Sequence, residues 1–253
     1  MSAASAPRAA GPRRVVVCIP TYNEAENLAE ALSRTRAALP DADILVVDDS
    51  SPDGTADVAK RVAEELGQID VLVNPTKGGL GAAYRSAFRV VMPAGYDVIC
   101  QMDADLSHDP AALPAMIEAL EDGAAMTIGS RYVPCGSVPH WPAHRRALSK
   151  YGNRYASGVL GLPVNDATAG FRAFWRTTLE DIGVTTTRAT GYGFQIECAY
   201  RVHRAGGRIV EIPIIFTDRV RGHSKLSLRV AFEELALVTL WGIRDRIFRR
   251  RTR

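Results

Sequence analysis

Two aspartates one residue apart, Asp103 and Asp105, follow a largely apolar run from Tyr96 to Met102. The run reads as a buried strand, and if it continues, its period of two puts both carboxylates on one face. If the chain turns instead, the pair still sits at the strand's C-terminal edge, where open α/β sheets bind ligands. Hard anionic oxygens there suit Mg2+ or Mn2+, ions that complete their shells with substrate phosphates. A solvated turn is the competing reading, since Asp is common at strand ends and His108-Asp109-Pro110 looks like a helix start.

Three further polar clusters follow runs of strand character: Pro20-Thr21-Tyr22-Asn23-Glu24, then Asp48-Asp49, then Lys77-Gly78-Gly79-Leu80-Gly81. A glycine-rich turn ahead of a helix lets backbone N–H groups approach phosphates, and Lys77 adds positive charge. Its spacing matches neither the Walker loop nor the dinucleotide fingerprint, so alone it says little. A single rim that gathers all four clusters says much more. The five histidines form no HExxH-type metal motif, and no nucleophile elbow or Cys–His pairing supports hydrolase chemistry. His108 reads as a turn or capping residue, and Glu197 as a structural one.

The elements that must position these clusters alternate. Strands are expected at Val15–Ile19, Ile44–Val47, Ile69–Val73, Tyr96–Met102 and Ala125–Gly129. Helices are expected from Asn23 or Glu24 to Leu39, and at Thr55–Leu66, Gly81–Val91 and Ala111–Leu120. Such alternation predicts an α/β fold with a mostly parallel sheet flanked by helices. Beyond Arg131 the rhythm changes. A Pro/Gly loop spans Pro134–Pro142, a helix Ala143–Leu160, a helix Phe194–Arg204 and a strand Ile209–Pro213. This last third reads as an extension that completes the site. The expected organisation is a disordered leader over 1–14, a body over 15–225, and an amphipathic C-terminal helix with a basic tail over 226–253.

The 253 residues are 47% hydrophobic and 23% charged, with a net charge of +3, ordinary for a soluble globular chain. Cys18, Cys100, Cys135 and Cys198 show no CxxC spacing, so reduced thiols fit and a zinc site does not. No stretch approaches the roughly 18 uninterrupted apolar residues of a membrane span. The start of the chain, rich in Ala, Pro and Arg, is not a secretory signal. Near the other end, Leu228, Phe232, Leu235, Leu237, Val238, Leu240, Trp241, Ile243, Ile247 and Phe248 form a broad apolar face, interrupted by Glu233, Glu234, Arg244, Asp245 and Arg246 and followed by Arg249, Arg250, Arg251 and Arg253. That face packs on the body or on a second copy, or it lies on anionic lipid with the arginines supplying the attraction. No nucleic-acid partner is expected.

PTYNE (Pro20 to Glu24), VVDDSSPDGT (Val46 to Thr55), KGGLGAA (Lys77 to Ala83), MDADLSH (Met102 to His108) and GSRY (Gly129 to Tyr132) come in that order. So ordered, they resemble the family 2 glycosyltransferases of GT-A fold. The resemblance to polyprenol-phosphate mannose synthases continues through WPxHRxxxS (Trp141 to Ser149), TAGFR (Thr168 to Arg172), GYGFQIE (Gly191 to Glu197) and RVRGHSK (Arg219 to Lys225). It covers roughly Val15 to Leu228, and the combination is specific where no single piece is.

The resemblance implies a GT-A domain without transmembrane helices and an inverting transfer of mannose from GDP-mannose to a polyprenyl phosphate. It puts Pro20, Tyr22, Glu24, Val47 and Asp49 around the nucleoside, with Asp48 supporting that wall, and the glycine-rich turn read above adds Lys77 and Gly81 to the nucleotide-sugar site. Asp103 and Asp105 are implied as holders of Mg2+ or Mn2+, with Ala104 behind the sugar nucleotide. Some relatives carry Gln where this chain has Ser107, whose shorter hydroxyl reaches the metal directly or through water. Gln195 stands where some relatives carry Lys. Arg131, Arg145 and Ser149 match acceptor-phosphate positions, and Arg219 and Lys225 match a loop closing over the diphosphate. Taken alone, Arg131 reads as a surface ion-pair partner, and Arg219 and Lys225 as solvated loop cations. Such an enzyme is expected in the cytoplasm, peripheral on the membrane's cytoplasmic face, with a membrane-protein partner possible. The alternatives are a UDP-glucose-dependent transferase acting on the same kind of lipid and a non-catalytic sugar-nucleotide-binding subunit.

Overall fold

The computed structural model describes residues 13–189, 191–218 and 236–243. Apolar, β-branched runs make β1 (Val15–Thr21), β2 (Asp43–Asp48), β3 (Ile69–Val73) and β4 (Val98–Gln101). They alternate with α1 (Ala25–Ala38), α2 (Thr55–Leu66) and α3 (Leu80–Val91), and all four strands pair in parallel. Then come α4 (Leu113–Glu121), β5 (Met126–Ser130), α5 (Ala143–Leu160), β6 (Arg172–Trp175), α6 (Arg176–Asp181), α7 (Gly191–Arg204) and β7 (Ile209–Pro213). The seven-stranded order is β3-β2-β1-β4-β6-β5-β7. β6 runs antiparallel to both β4 and β5, while β7 is parallel to β5.

The sheet is covered on both faces, which is why its central strands are apolar throughout. On one face Val16, Cys18, Ile99 and Phe174 meet Tyr84, Phe88 and Phe194 from α3 and α7. Tyr84 and Phe194 stack with centroids 5.8 Å apart. On the other face Val17, Ile19, Cys100 and Ala173 meet Leu28 and Leu32 of α1 and Met116 of α4.

The structure adds to the sequence reading at three places. β4 stops at Gln101 rather than running through Met102, and Leu106 turns the chain with a φ of 63°. A loop, not strand periodicity, therefore brings Asp103 and Asp105 together. Residues 13 and 14, placed in the expected leader, have cationic side chains with partners on the body. Arg13 Nε lies 2.7 Å from Glu121, with its guanidinium over Trp175, and Arg14 stacks over Tyr96. At the other end residues 236–243 are helical, yet Val238 is buried and Trp241 stacks on Tyr200 with centroids 6.1 Å apart. Those two side chains belong to packing; Leu240 and Ile243 stay exposed. Ile247, Phe248 and the terminal arginines lie outside the described residues.

Candidate active site

The parallel strands bring their C-terminal ends to one rim, and side chains stitch the loops there together. Thr21 Oγ1 donates to Asp48 Oδ1 at 3.0 Å, and the Ser51 amide donates to Asp48 Oδ2 at 2.8 Å. The Asn23 amide donates to Ser51 Oγ (3.0 Å), that of Glu24 to Thr55 Oγ1 (3.0 Å), and that of Ala25 to Asp53 Oδ2 (3.1 Å). The turn after β1 is thus fastened to the β2–α2 loop. Lys77 Nζ sits 3.7 Å from the centroid of Tyr22, a cation–π contact joining the β1 and β3 clusters across β2. Pro20, Tyr22 and Glu24 are half-buried at this rim, and Asp48 lies buried behind it.

The glycine turn differs from its sequence reading. The amides of Gly78 and Gly79 donate to Asp49 Oδ2 at 3.1 and 3.0 Å, and Asn74 Nδ2 donates to Oδ1 at 2.7 Å. These N–H groups brace Asp49 instead of pointing at a phosphate, because a carboxylate is a strong local acceptor. Gly81 is a packing residue: a β-carbon there would stand 2.7 Å from the carbonyl oxygen of Ala189. Val47 is buried in the core on the α3 side, so its side chain does not line the rim. Ala104 is buried on the opposite face of the sheet.

Asp103 keeps about a third of its side chain in solvent (32%), whereas Asp105 is buried. Ser107 donates twice to Asp105 Oδ1, from its amide at 3.1 Å and its hydroxyl at 2.5 Å, so its proton orients the carboxylate. His108 Nδ1 accepts from the Asp103 amide at 3.2 Å, and the buried ring stacks on Phe171. An accepting Nδ1 belongs to a neutral imidazole with its proton on Nε2. Gly170 backs the other carboxylate, since a β-carbon added there would lie 3.5 Å from both oxygens of Asp103. Burial, and then the negative field of Asp103, holds the Tyr84 hydroxyl well above its ordinary pKa.

Arg172 is fully buried under this rim and donates to three carbonyls: Ala169 (2.7 Å), Gln195 (2.6 Å) and Ala167 (2.7 Å). Burial pushes its pKa down to about 10, so it still carries its charge at neutral pH. Gln195 is itself fully buried, below the rim rather than on it. Among the described residues no third carboxylate, His or Cys joins the aspartates as a metal cluster. Two carboxylates, one of them a third exposed, fit a hard cation that fills its remaining positions with substrate oxygens and water.

The acceptor candidates lie on the other side of this loop. Arg131 is buried and forms a two-pronged pair with Asp166, Nε to Oδ2 at 2.7 Å and Nη2 to Oδ1 at 2.6 Å. It is not the surface cation its position suggests. Thr168 and Asn153 extend the network to the Ser149 carbonyl. Arg145, one helical turn before Ser149, rests 4.0 Å over Trp141 and 3.2 Å from Asp218. An aromatic column links the two regions: Phe171 stacks on His108, His108 meets Phe216 edge-on, and Phe216 meets Trp141. Thr217 donates to the carbonyls of Ser107 (3.3 Å) and Leu106 (3.1 Å). Residues 217 and 218 therefore run between the paired aspartates and Arg145. Arg219 and Lys225 follow, outside the described residues.

The sequence reading missed Asp53, Asn74 and Asp166, which hold site residues in place without lining the site. Only a partner search in space finds them, since they lie 25 to 35 residues from the groups they hold.

A GT-A sheet with paired aspartates at its rim defines a nucleotide-sugar-dependent transferase. The chain belongs to the glycosyl transferase family 2, which residues 16–183 match. It is 46% identical over 233 residues to the undecaprenyl-phosphate mannosyltransferase of Micrococcus luteus, covering 92% of this chain and 96% of that one. It is 44% identical to the polyprenol monophosphomannose synthase of Mycolicibacterium smegmatis, covering 94% and 91%. Among solved structures it resembles a mannosyltransferase of Pyrobaculum calidifontis in complex with GDP-Man and Mn2+. That likeness has a TM-score of 0.64 at 22% identity and covers 92% of this chain and 65% of the other.

Proposed function

We propose that this chain transfers mannose from GDP-mannose to a polyprenyl phosphate, with inversion at the anomeric carbon. The observation that carries the reading is likeness over more than nine-tenths of the chain to two proteins named for mannosyl transfer to, or synthesis on, such lipids. Intact Asp103 and Asp105 at the rim argue for a catalyst over a silent binding subunit.

An acceptor-phosphate oxygen forms the new bond to the anomeric carbon as the bond to the GDP oxygen breaks, and GDP leaves with the electron pair. A phosphomonoester has a second pKa of about 6, so the nucleophile is anionic near neutral pH and needs no strong base. A divalent ion at Asp103 and Asp105, Mg2+ or Mn2+, would neutralise charge on the leaving diphosphate. Arg219 and Lys225, outside the described residues, would reinforce that neutralisation. Arg145 orients the acceptor phosphate, with Ser149 beside it on α5. Arg131, fixed by Asp166, holds the wall behind them. Among the described residues no helix is long and apolar enough to cross a membrane. In this reading the chain meets its lipid acceptor at the membrane surface, alone or with a membrane-protein partner.

The test is transfer from radiolabelled GDP-mannose or UDP-glucose to undecaprenyl phosphate with Mn2+. Labelled lipid from GDP-mannose alone is expected, and it should vanish in Asp105→Ala while the fold survives. Transfer only from UDP-glucose would move the function to the glucosyl alternative, and no transfer from either would leave a binding subunit. Arg145→Ala should raise the acceptor concentration needed and leave donor affinity intact, whereas Arg219→Ala should lower turnover.

A further inference from the structure

Tyr84, Gln101 and Gln195 are fully buried, yet Tyr84 Oη and both polar atoms of each carboxamide have no hydrogen-bond partner among the described residues. Gln101 ends β4 and stands directly opposite Arg172, which opens β6. Each lies two residues from a neighbour that faces α3 and α7, Ile99 and Phe174, so both side chains point to that face. Gln195 receives an Arg172 Nη1–H on its backbone carbonyl, and helical spacing puts it on the inner face of α7 with Cys198 and Ala199. Tyr84 stacks on Phe194, and besides burial the fields of Asp103 and Arg172 reach its hydroxyl. Arg172 uses three of its five N–H groups on carbonyls and has no ion-pair partner among the described residues. The loops leaving these residues carry the site. Gln101 leads within two residues to Asp103, and the carbonyls of Ala167 and Ala169 belong to the segment whose Gly170 backs the Asp103 carboxylate.

We infer that Tyr84, Gln101, Gln195 and Arg172 enclose an internal hydration site, and that its bound water makes them positioning residues for Asp103. Turning either carboxamide by half a turn exchanges two atoms that both lack partners, so no reassignment of oxygen and nitrogen relieves the group. In native structures such buried atoms are satisfied by protein or by ordered water. The group mixes roles: guanidinium and amide nitrogens donate, amide oxygens accept, and the hydroxyl does both. A bound cation would leave the donors unmet, and an anion would leave the amide oxygens unmet. Water serves both. It ties β4 to β6 at the ends from which the Asp103 loop and the Gly170 segment depart, so the carboxylate and its backing share one floor. This role rests on the reading of Asp103 and Asp105 as metal holders; the hydration itself does not.

A high-resolution crystal structure of the unmodified chain should show ordered water bridging Gln101 or Gln195 to Arg172 or Tyr84. Carboxamides bonded directly to each other or to Arg172, with no water among them, overturn the inference. The positioning role is read by titrating Mn2+ in the presence of GDP and following the spin resonance of the free ion, well below the unfolding transition. Gln101→Leu keeps the volume and excludes the water, and Mn2+ affinity should fall about 10-fold, as for other groups that orient metal-binding carboxylates. Gln195→Met should act in the same direction. Gln101→Asn keeps a carboxamide, leaves room for a further water and should stay near the parent. Unchanged affinity in both apolar variants overturns the positioning role. So does a loss in Gln101→Asn equal to that in Gln101→Leu, which lost packing would give. If the apolar variants do not fold, the water in the unmodified chain still decides the inference. Asp105→Ala that binds Mn2+ as the parent does removes the metal reading, and the positioning role with it, while ordered water in the crystal keeps the hydration site.

Discussion

Ser107 makes its hydroxyl proton available to one atom, Asp105 Oδ1, and that contact sets the direction of a buried carboxylate. Groups that orient metal-binding carboxylates typically change metal affinity or activity about 10–100-fold when removed. Ser107→Ala should therefore raise the Mn2+ concentration for half-maximal transfer by about that factor, read from a metal titration. An unchanged titration would show that Asp105 needs no orienting. Asp166 acts through a different physics. Its removal strands the Arg131 guanidinium in a buried site, and breaking a buried pair costs about 3–5 kcal/mol. Asp166→Ala should lose that much in urea unfolding, while Arg131→Met with Asp166→Leu should regain most of it. A loss under 1 kcal/mol for the single variant would mean water reaches the charge.

At the scale of elements, the glycine turn shows how packing overrides a motif's surface meaning. Gly81 is needed because Ala189 comes so close to the start of α3. Gly81→Ala pushes a methyl against backbone that cannot swing aside, and overpacking of this kind costs about 1–3 kcal/mol. The expected result is a lower Tm with GDP-mannose affinity unchanged below the transition; a selective affinity loss would restore the phosphate role. β6 is the element the sequence left undefined. It has four residues and opens on Arg172, so no apolar run announces it. Its antiparallel direction comes from neighbours: β4 and β5 on either side, and the three carbonyls that receive Arg172.

For the whole molecule, burial sorts the cysteines. All four are free; Cys18, Cys100 and Cys198 are buried and Cys135 is exposed. Burial pushes the thiols of Cys100 and Cys198 up to about 12, and that of Cys18 up as well. The thiolate is the reactive form, so alkylation of the native protein at pH 8 should stop at one site, Cys135. Mass spectrometry should count one adduct before unfolding and four after. More than one adduct without loss of structure would mean the sheet opens. The same burial logic splits the C-terminal helix, with Val238 and Trp241 inward and Leu240 and Ile243 outward.

The periodicity of the chain was enough to place α2 and α5 residue for residue and to find six of the seven strands, because those signals are local. The order of PTYNE, the paired aspartates and the later motifs was enough to indicate the transferase family. What that order could not carry was which atoms meet. Asp49 meets the glycine amides, Arg131 meets Asp166 and Trp241 meets Tyr200 across 29, 35 and 41 residues of chain. Each such contact depends on distances set by the packing of whole elements. A polar residue at a rim therefore reads the same in sequence whether it faces a substrate or the side chain that holds it.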